Sequence, residues 1–524
     1  MEAPAVSGLS RRQFLLRMSA LGGSAAVYQG LLGLGLLPNT AQAADDWQLR
    51  DAPHPMKVLI LGGGLSGLVA AYELRRRGYV VEVLEASHRV GGRNFTVRGG
   101  DLIDEIGNRQ ICAFDRNPEL YFNAGPARIP AQHQRILSYC RELGVPLEVF
   151  VNYNGQAWVH DPALPRDRRV RVREYVTDAR GFMSEMLTKN LTAADLEAPM
   201  TDGDAERLRD FLRRYGDLSP EGDYLGSSRA GYASGGVMAH GEPKEVLDFP
   251  QILAANFWRM GLNFTEAETM MAPLMQMVGG NDGIVRALES RLDGRIRYRS
   301  QVTGIETGED SVTVRYRHEG QEHASTADFC LNCIPGPILS GIRNNFPKPY
   351  LDAMQELPRG HLIKVAFQAR ERFWEKELIY GGISWTSDPI TQLLYPSGSL
   401  QGSKGVVVGA YIFRRDEALR FTHMRHEARV AEALASGEKL HPGYAEHMEA
   451  SVSVAWRNMN HHLGCASHVA GVESDAVLAR LKAPVGRHIL MGDQTSFHSG
   501  WQEGAIGSAH AALNTLNAMV TANA

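Results

Sequence analysis

The sequence predicts an α/β fold organised around a doubly wound parallel sheet, and three observations carry that prediction. Met56–Leu61 is an apolar run of strand length that feeds a glycine-rich turn and then the helix-like Leu68–Leu74. A second apolar strand, Val80–Leu84, follows and ends at an acid, Glu85. Far along the chain, Arg487–Asp493 reads as another buried strand leading into a glycine turn and a final helix. Strands drawn from both ends of the chain therefore close one sheet.

The first turn reads Gly62-Gly63-Gly64-Leu65-Ser66-Gly67, with glycine at the first, third and sixth places. Gly62 permits the tight turn, and Gly64 lets a pyrophosphate approach the backbone where Leu65 and Ser66 open the helix. Gly67 lets that helix pack closely on the strand. Glu85 stands 18 residues beyond Gly67, where a carboxylate accepts hydrogen bonds from ribose hydroxyls. Strand, glycine turn, helix, second strand and acid together define a Rossmann-like dinucleotide site, which a lone glycine motif would not. Arg75-Arg76-Arg77 before Gly78 is read as solvated cations at a glycine-capped helix end.

Composition sets the outer limits. At 524 residues the chain has room for two or three domains. Its 44% hydrophobic and 22% charged content is that of a globular protein, not of a disordered or many-helix membrane protein. Lys plus Arg (55) nearly balance Asp plus Glu (59), which removes the basic surplus that nucleic-acid binding requires. The five cysteines are too few and scattered for a disulfide framework. Cys330 and Cys333 fall on opposite faces of a strand and are expected to be core residues, with no metal centre.

Residues Ser10-Arg11-Arg12-Gln13-Phe14-Leu15-Leu16 precede a Gly- and Leu-rich run ending in Ala41-Gln42-Ala43. This looks like a twin-arginine signal peptide cleaved after Ala43. It implies export to the periplasm or the medium, a protein folded around a cofactor before export, and no stable membrane association afterwards.

Glu85-Ala86-Ser87-His88-Arg89-Val90-Gly91-Gly92-Arg93 resembles the second dinucleotide segment of the flavin amine oxidase family. That resemblance implies FAD, with Ala86 beside Glu85 and Arg93 near the phosphates. Gly500-Trp501-Gln502-Glu503-Gly504-Ala505 resembles the family's last flavin motif, implying flavin contacts from Gly500, Trp501, Gln502 and Ala505. Asp493 sits where many members carry Glu and is expected to reach the ribityl chain. Arg297–Ile305 is expected as one strand in which Val302 resembles the residue whose backbone holds the adenine. A glycine turn at Gly279, Gly280 and Gly283 precedes a further helix.

Phe122-Asn123-Ala124-Gly125-Pro126-Ala127-Arg128-Ile129-Pro130 resembles a segment of the L-amino acid oxidases within that family. There Gly125, Pro126, Ala127 and Arg128 would contact the flavin, and the Arg128 guanidinium would fork onto the substrate carboxylate, matching two oxygens with two donors. The strand His361–Phe367 resembles the one carrying the family's flavin-facing lysine, which makes Lys364 the candidate holder of a water near the flavin N5. An alternating apolar strand has no structural use for an inward ammonium. By the same resemblance Tyr411 is a second carboxylate ligand, and Trp501 forms one wall of the substrate pocket. Lys364, Arg128, Tyr411 and Trp501 are thus the candidate catalytic group, with Arg128, Tyr411 and Trp501 meeting substrate; Phe257 and Trp258 are further candidates for the pocket wall.

The resulting fold expectation is a Rossmann-like FAD-binding domain (53–98, 277–350 and 482–524) interleaved with a mixed-sheet substrate-binding domain (99–160 and 351–481). Residues 1–43 are the signal peptide, and 161–276 form a helical lid with helices at Arg207–Tyr215 and Val246–Met260. Arg168–Arg173 is expected as an exposed edge strand. The implied reaction is oxidative deamination of L-amino acids, in which the Cα–H leaves as hydride toward the flavin N5. The products are 2-oxo acid, ammonia and hydrogen peroxide, with molecular oxygen as acceptor. A monoamine or polyamine oxidase and an amino acid 2-monooxygenase remain alternatives on the same scaffold, as does a non-catalytic flavoprotein. Trp456 and then Leu463-Gly464-Cys465 resemble the place where monoamine oxidases bond a Cys to the flavin and amino acid oxidases usually carry Gly or Ala; the expectation is non-covalent FAD, with a covalent link at Cys465 as the alternative. A homodimer is left open.

Overall fold

A computed structural model describes residues 47–165, 168–190, 201–465 and 473–522. The twin-arginine segment lies outside the described residues. The dinucleotide half is a five-stranded all-parallel sheet in the order Ile296–Arg297, Val80–Leu84, Lys57–Leu61, Phe329–Asn332 and His488–Leu490. Parallel strands buried on both faces need apolar residues at consecutive positions, and Val58 to Leu61 are all fully buried. Val58 and Ile60 pack with Leu68, Ile506 and Leu513 on one face. Leu59 and Leu61 pack on the other with Val302, Ile305 and Val314. Helix Leu65–Arg76 and the C-terminal helix Gln502–Ala522 thus form one layer. The four-stranded sheet containing Ser300–Thr307 forms the other.

A second, seven-stranded mixed sheet runs Arg169–Arg171, Trp158–His160, Gly382–Thr386, Gln392–Tyr395, Gly405–Ile412, Ile363–Ala369 and Met448–Ala455. Strand Ile363–Ala369 lies between Gly405–Ile412 and Met448–Ala455, so all seven of its residues are buried, Lys364 included. The segment Phe122–Pro130 passes between the two sheets. It pairs at one end with Thr96–Val97 and at the other with Leu274–Met275.

Several sequence-based expectations change in detail. Arg297–Ile305 is two strands, because Arg299 adopts a left-handed φ of 51°. Ile296–Arg297 joins the parallel sheet, and Ser300–Thr307 turns into the four-stranded one. The expected helix Val246–Met260 is two short ones, Phe249–Ala254 and Phe257–Met260, broken where Ala255 is extended. The helix expected at Arg207–Tyr215 spans Asp202–Gly216, opened by a Thr201–Asp204 capping box. Arg169–Arg171 does form an edge strand, but Arg169 and Arg171 are half-buried on Trp158, with guanidinium carbons 4.3 and 3.5 Å from its ring. No helix among the described residues is long and apolar enough to cross a membrane.

Candidate active site

The parallel strands end at the mouth of a cavity of about 380 Å³, where Gly62, Glu85, Cys333 and Gly492 follow four strand C-termini. Ligands of open α/β sheets bind outside these ends. Gly62 needs its glycine because its φ is +97°. A Cβ on Gly67 would stand 2.2 Å from the Gly62 carbonyl oxygen, so this glycine sets helix–strand packing, and Gly67 does not line the cavity. A Cβ on Gly64 would meet no protein atom within 4 Å, and Gly64, Leu65 and Ser66 all face the cavity.

Glu85 is held for its task by two amides. Oε2 accepts from Gly63 N and Oε1 from Ser87 N, each at 2.7 Å. Burial pushes its carboxyl pKa up, against the pull of those bonds. Glu85 and Ala86 line one end of the cavity with Val302. Arg93 lies farther in and pairs with Asp493, whose Oδ2 also accepts from Gly500 N at 2.8 Å. Next to Arg93, Asn94 is 6% exposed, and neither atom of its amide has a protein partner. An open approach at Gly64, an anchored ribose acid, a cation and an unpartnered amide in one cavity fit a dinucleotide cofactor.

The other end of the cavity is lined by Gly125, Pro126, Ala127, Arg128, Tyr411 and Trp501, with Gly500, Gln502 and Ala505 from the last turn and helix. Arg128 is 5% exposed. Its Nη1 donates to Asn152 Oδ1, and its guanidinium carbon lies 5.4 Å from the Phe264 ring and 5.7 Å from Phe150. Among the described residues no carboxylate pairs with it; burial lowers its pKa, and Tyr411 acts in the opposite sense. A buried cation facing an open cavity without a counter-ion is arranged for an anion from outside. Trp501 is fixed edge-on against His133, ring centroids 5.0 Å apart.

Lys364 departs from expectation. It is 1% exposed but does not line the large cavity; Nζ donates to the carbonyls of Asn123 at 2.9 Å and Gly125 at 2.7 Å. Burial first, and then Arg128, bring its pKa down to about 7. Cys333, expected in the core, instead lines the cavity and donates its Sγ–H to Gly62 O at 3.1 Å. Phe257 is packed edge-on against Tyr175 and Trp258 is largely exposed; neither lines the cavity. Cys465 does line it, as does Trp456, whose indole N–H donates to Ala124 O at 2.9 Å. Residues the sequence reading missed include Asn94, Met270, His461 and His462. Asn94 adjoins a recognised motif, whereas the two histidines sit in an irregular loop with no periodicity to mark it.

Comparison with known proteins gives the same picture. The model of flavin-containing amine oxidoreductases matches residues 65–513. A flavin-dependent L-tryptophan oxidase of Lentzea aerocolonigenes is 27% identical over 490 residues, covering 88% of this chain and 98% of its own. An L-amino-acid oxidase of Vipera ammodytes ammodytes is 25% identical, covering 90% and 94%. Among solved structures, wild-type putrescine oxidase bound to putrescine aligns with a TM-score of 0.59 at 19% identity, over 90% of this chain and 99% of its own. Cyclohexylamine oxidase from Brevibacterium oxydans aligns at 0.59 and 18%, over 89% and 100%. With a family match running from the first cofactor helix into the last, and a cavity built for a dinucleotide between them, this chain belongs to the flavin-containing amine oxidoreductases and takes FAD as its cofactor.

Proposed function

We propose that this protein is an L-amino acid oxidase, and the observation that carries the reading is Arg128. An amine substrate gives a buried guanidinium nothing to bind, whereas an amino acid brings a carboxylate whose two oxygens match its two donors. Asn152 holds one edge of the guanidinium, and Phe150 and Phe264 flank it, so its orientation is set before substrate arrives. Tyr411 supplies a phenol on the same side and Trp501 an apolar wall. Together they would fix the substrate carboxylate and side chain, leaving the Cα–H as the part of the substrate available to the cofactor's chemistry.

When bound, FAD supplies the two-electron acceptor and passes those electrons to oxygen, giving hydrogen peroxide. Asp493, Arg93 and Glu85 hold the cofactor, and Lys364 fixes the Asn123–Gly125 backbone that forms part of its bed. No side chain is required as a strong base if the neutral amine is the species oxidised. The imino acid then hydrolyses in water to 2-oxo acid and ammonia. The cradle binds FAD without a covalent link, with Cys465 a small residue beside it; an acid-precipitated pellet that stays yellow would instead assign a bond to Cys465. Export by the twin-arginine route belongs to the same proposal, and loss of export in an Arg11→Lys, Arg12→Lys double variant is its test.

The substrate test is anaerobic mixing of the purified yellow protein with L-amino acids, their D-enantiomers and the corresponding decarboxylated amines. Bleaching by the L-amino acids alone is expected, with 2-oxo acid and peroxide as aerobic products. Bleaching by amines would remove the role of Arg128, and a decarboxylated amide product would make the enzyme a monooxygenase.

A further inference from the structure

Lys364 stands in the wall between two cavities. Beside the large one is a smaller cavity of about 70 Å³, bordered by Lys364, Asn123 and Ala127 on its inner side. Ala127 lines both cavities. Val408 and the half-buried Ser397–Ser399 loop also line it, and Glu119 is an exposed member of the same lining. A fully buried lysine and an exposed carboxylate therefore line one small cavity, distinct from the one that Arg128, Tyr411 and Trp501 line.

The hydrogen bonds of Lys364 suit proton exchange through that small cavity. An ammonium has three N–H donors, whereas a neutral amine has two and a lone pair. Nζ gives two donors to the Asn123 and Gly125 carbonyls, which stay satisfied in either state. Gain or loss of the proton changes only the third direction.

We propose that the smaller cavity is a solvent passage through which Lys364 exchanges its proton with bulk water while the substrate cavity stays closed. An Nζ–H bond breaks, the proton passes to a water molecule in the passage and the electron pair stays on Nζ; the reverse step restores the ammonium. The overall reaction, cationic amine plus oxygen to iminium plus hydrogen peroxide, is neutral in protons. The proton shed before oxidation is needed again when peroxide forms, so in between it has to be held by a buried group or exchanged with solvent, and Lys364 beside a second cavity offers the exchange. This need is the same for an amine as for an amino acid, so the passage does not depend on the role of Arg128.

The surroundings agree. Arg128 is the nearby cation, Cys465 acts weakly in the opposite sense, and the Tyr411 ring lies 4.6 Å from Nζ. In the lining of the smaller cavity Tyr121 and Tyr395 are pushed up by burial and stay protonated, Arg372 is tied to Glu375, and Glu119 is exposed. With its pKa near 7, Lys364 is the wall group that changes charge in neutral water.

The test is brief carbamylation of the holoenzyme with cyanate, which adds to neutral amines, read at each lysine by peptide mass spectrometry. Val408→Phe fills the passage, and Glu119→Trp obstructs it from an exposed position in its lining if the first variant folds poorly. In the wild type, Lys364 is expected to react despite its burial. In either variant its labelling should fall at least tenfold while that of exposed Lys348 is unchanged. Equal labelling of Lys364 in the wild type and in whichever variants fold overturns the proposal, as does a wild-type Lys364 that stays unlabelled while Lys348 reacts.

Discussion

Arg93 and Asp493, 400 residues apart in sequence, form a two-pronged ion pair at the floor of the flavin cavity. Burial alone would raise the Asp493 carboxyl, but Arg93, with Arg359 behind it, holds its pKa below the usual carboxylate range. The pair ties the second cofactor segment to the last one, so it supports both the fold and the flavin bed.

Asp493→Asn should therefore cost stability and flavin together. Breaking a buried pair costs about 3–5 kcal/mol, and the low end applies because Arg93 keeps a quarter of its side chain exposed. A depressed carboxyl stabilises the fold above its unfolded pKa, and this is lost as pH falls through the folded one. The stability gap between wild type and variant, followed by thermal melts, should narrow as pH falls below about 4. A gap that does not change with pH would mean that the pair contributes nothing through charge.

The two glycines that begin and end the first helical turn should fail in different ways. Gly67→Ala drives a Cβ to 2.2 Å from a backbone oxygen, an overpacking expected to cost about 2–3 kcal/mol or more. Gly64→Ala meets no protein atom, so the apo-protein should keep its stability within about 0.5 kcal/mol. Its methyl instead occupies the cofactor's approach, and FAD should bind at least ~10-fold more weakly, about 1.4 kcal/mol. Melting of apo-protein and fluorescence titration with FAD separate the two; normal FAD affinity in Gly64→Ala would mean that the cofactor does not approach the backbone at Gly64.

Lys364 makes stability depend on pH in an unusual direction. An unfolded lysine titrates near 10.4, whereas in the fold burial and Arg128 bring it to about 7. Between those values the folded state binds fewer protons than the unfolded one, so stability rises with pH across that window. Below about pH 7 the penalty is paid in full. Lys364→Met removes it and leaves the Asn123 and Gly125 carbonyls unpaired, a loss that does not vary with pH. The melting temperature of the variant relative to wild type should be highest at pH 6 and decline steadily toward pH 10. A constant difference would mean that the lysine is not depressed.

These contrasts show what the sequence could reveal. Gly62, Gly64 and Glu85 were legible because local order, strand, turn, helix and acid, places them at the cavity, whereas the pairing of Asp493 with Arg93 was not legible because it joins segments 400 residues apart. The seven-stranded sheet was legible only in pieces, since which strand lies beside Ile363–Ala369 depends on packing across distant segments. Alternation indicates that Lys364 is buried, but it cannot say which of two cavities it borders when Asn123 and Ala127 form the partition. Asn152, which orients Arg128, comes from a loop with no motif, and Arg299 ends a strand through a backbone angle that side-chain periodicity does not encode.

Arg128 gives the most decisive variant. Removing one partner of a buried, hydrogen-bonded charge pair costs about 2–5 kcal/mol, or roughly 30- to 4,000-fold in kcat/KM for L-amino acids. Arg128→Lys should restore little, because an ammonium is a point charge without the forked donors, and the Asn152 contact sets the plane of a guanidinium. Arg128→Ala also removes the cation that helps to depress Lys364. In the variant Lys364 should therefore titrate at higher pH, and KM for amino acids should rise. Steady-state kinetics read the second effect, and thermal melts across pH 6–10 read the first. Amines of the same side chain, which gain nothing from the guanidinium, should lose far less than the amino acids, and equal losses for both would place Arg128 in the scaffold and not at the substrate.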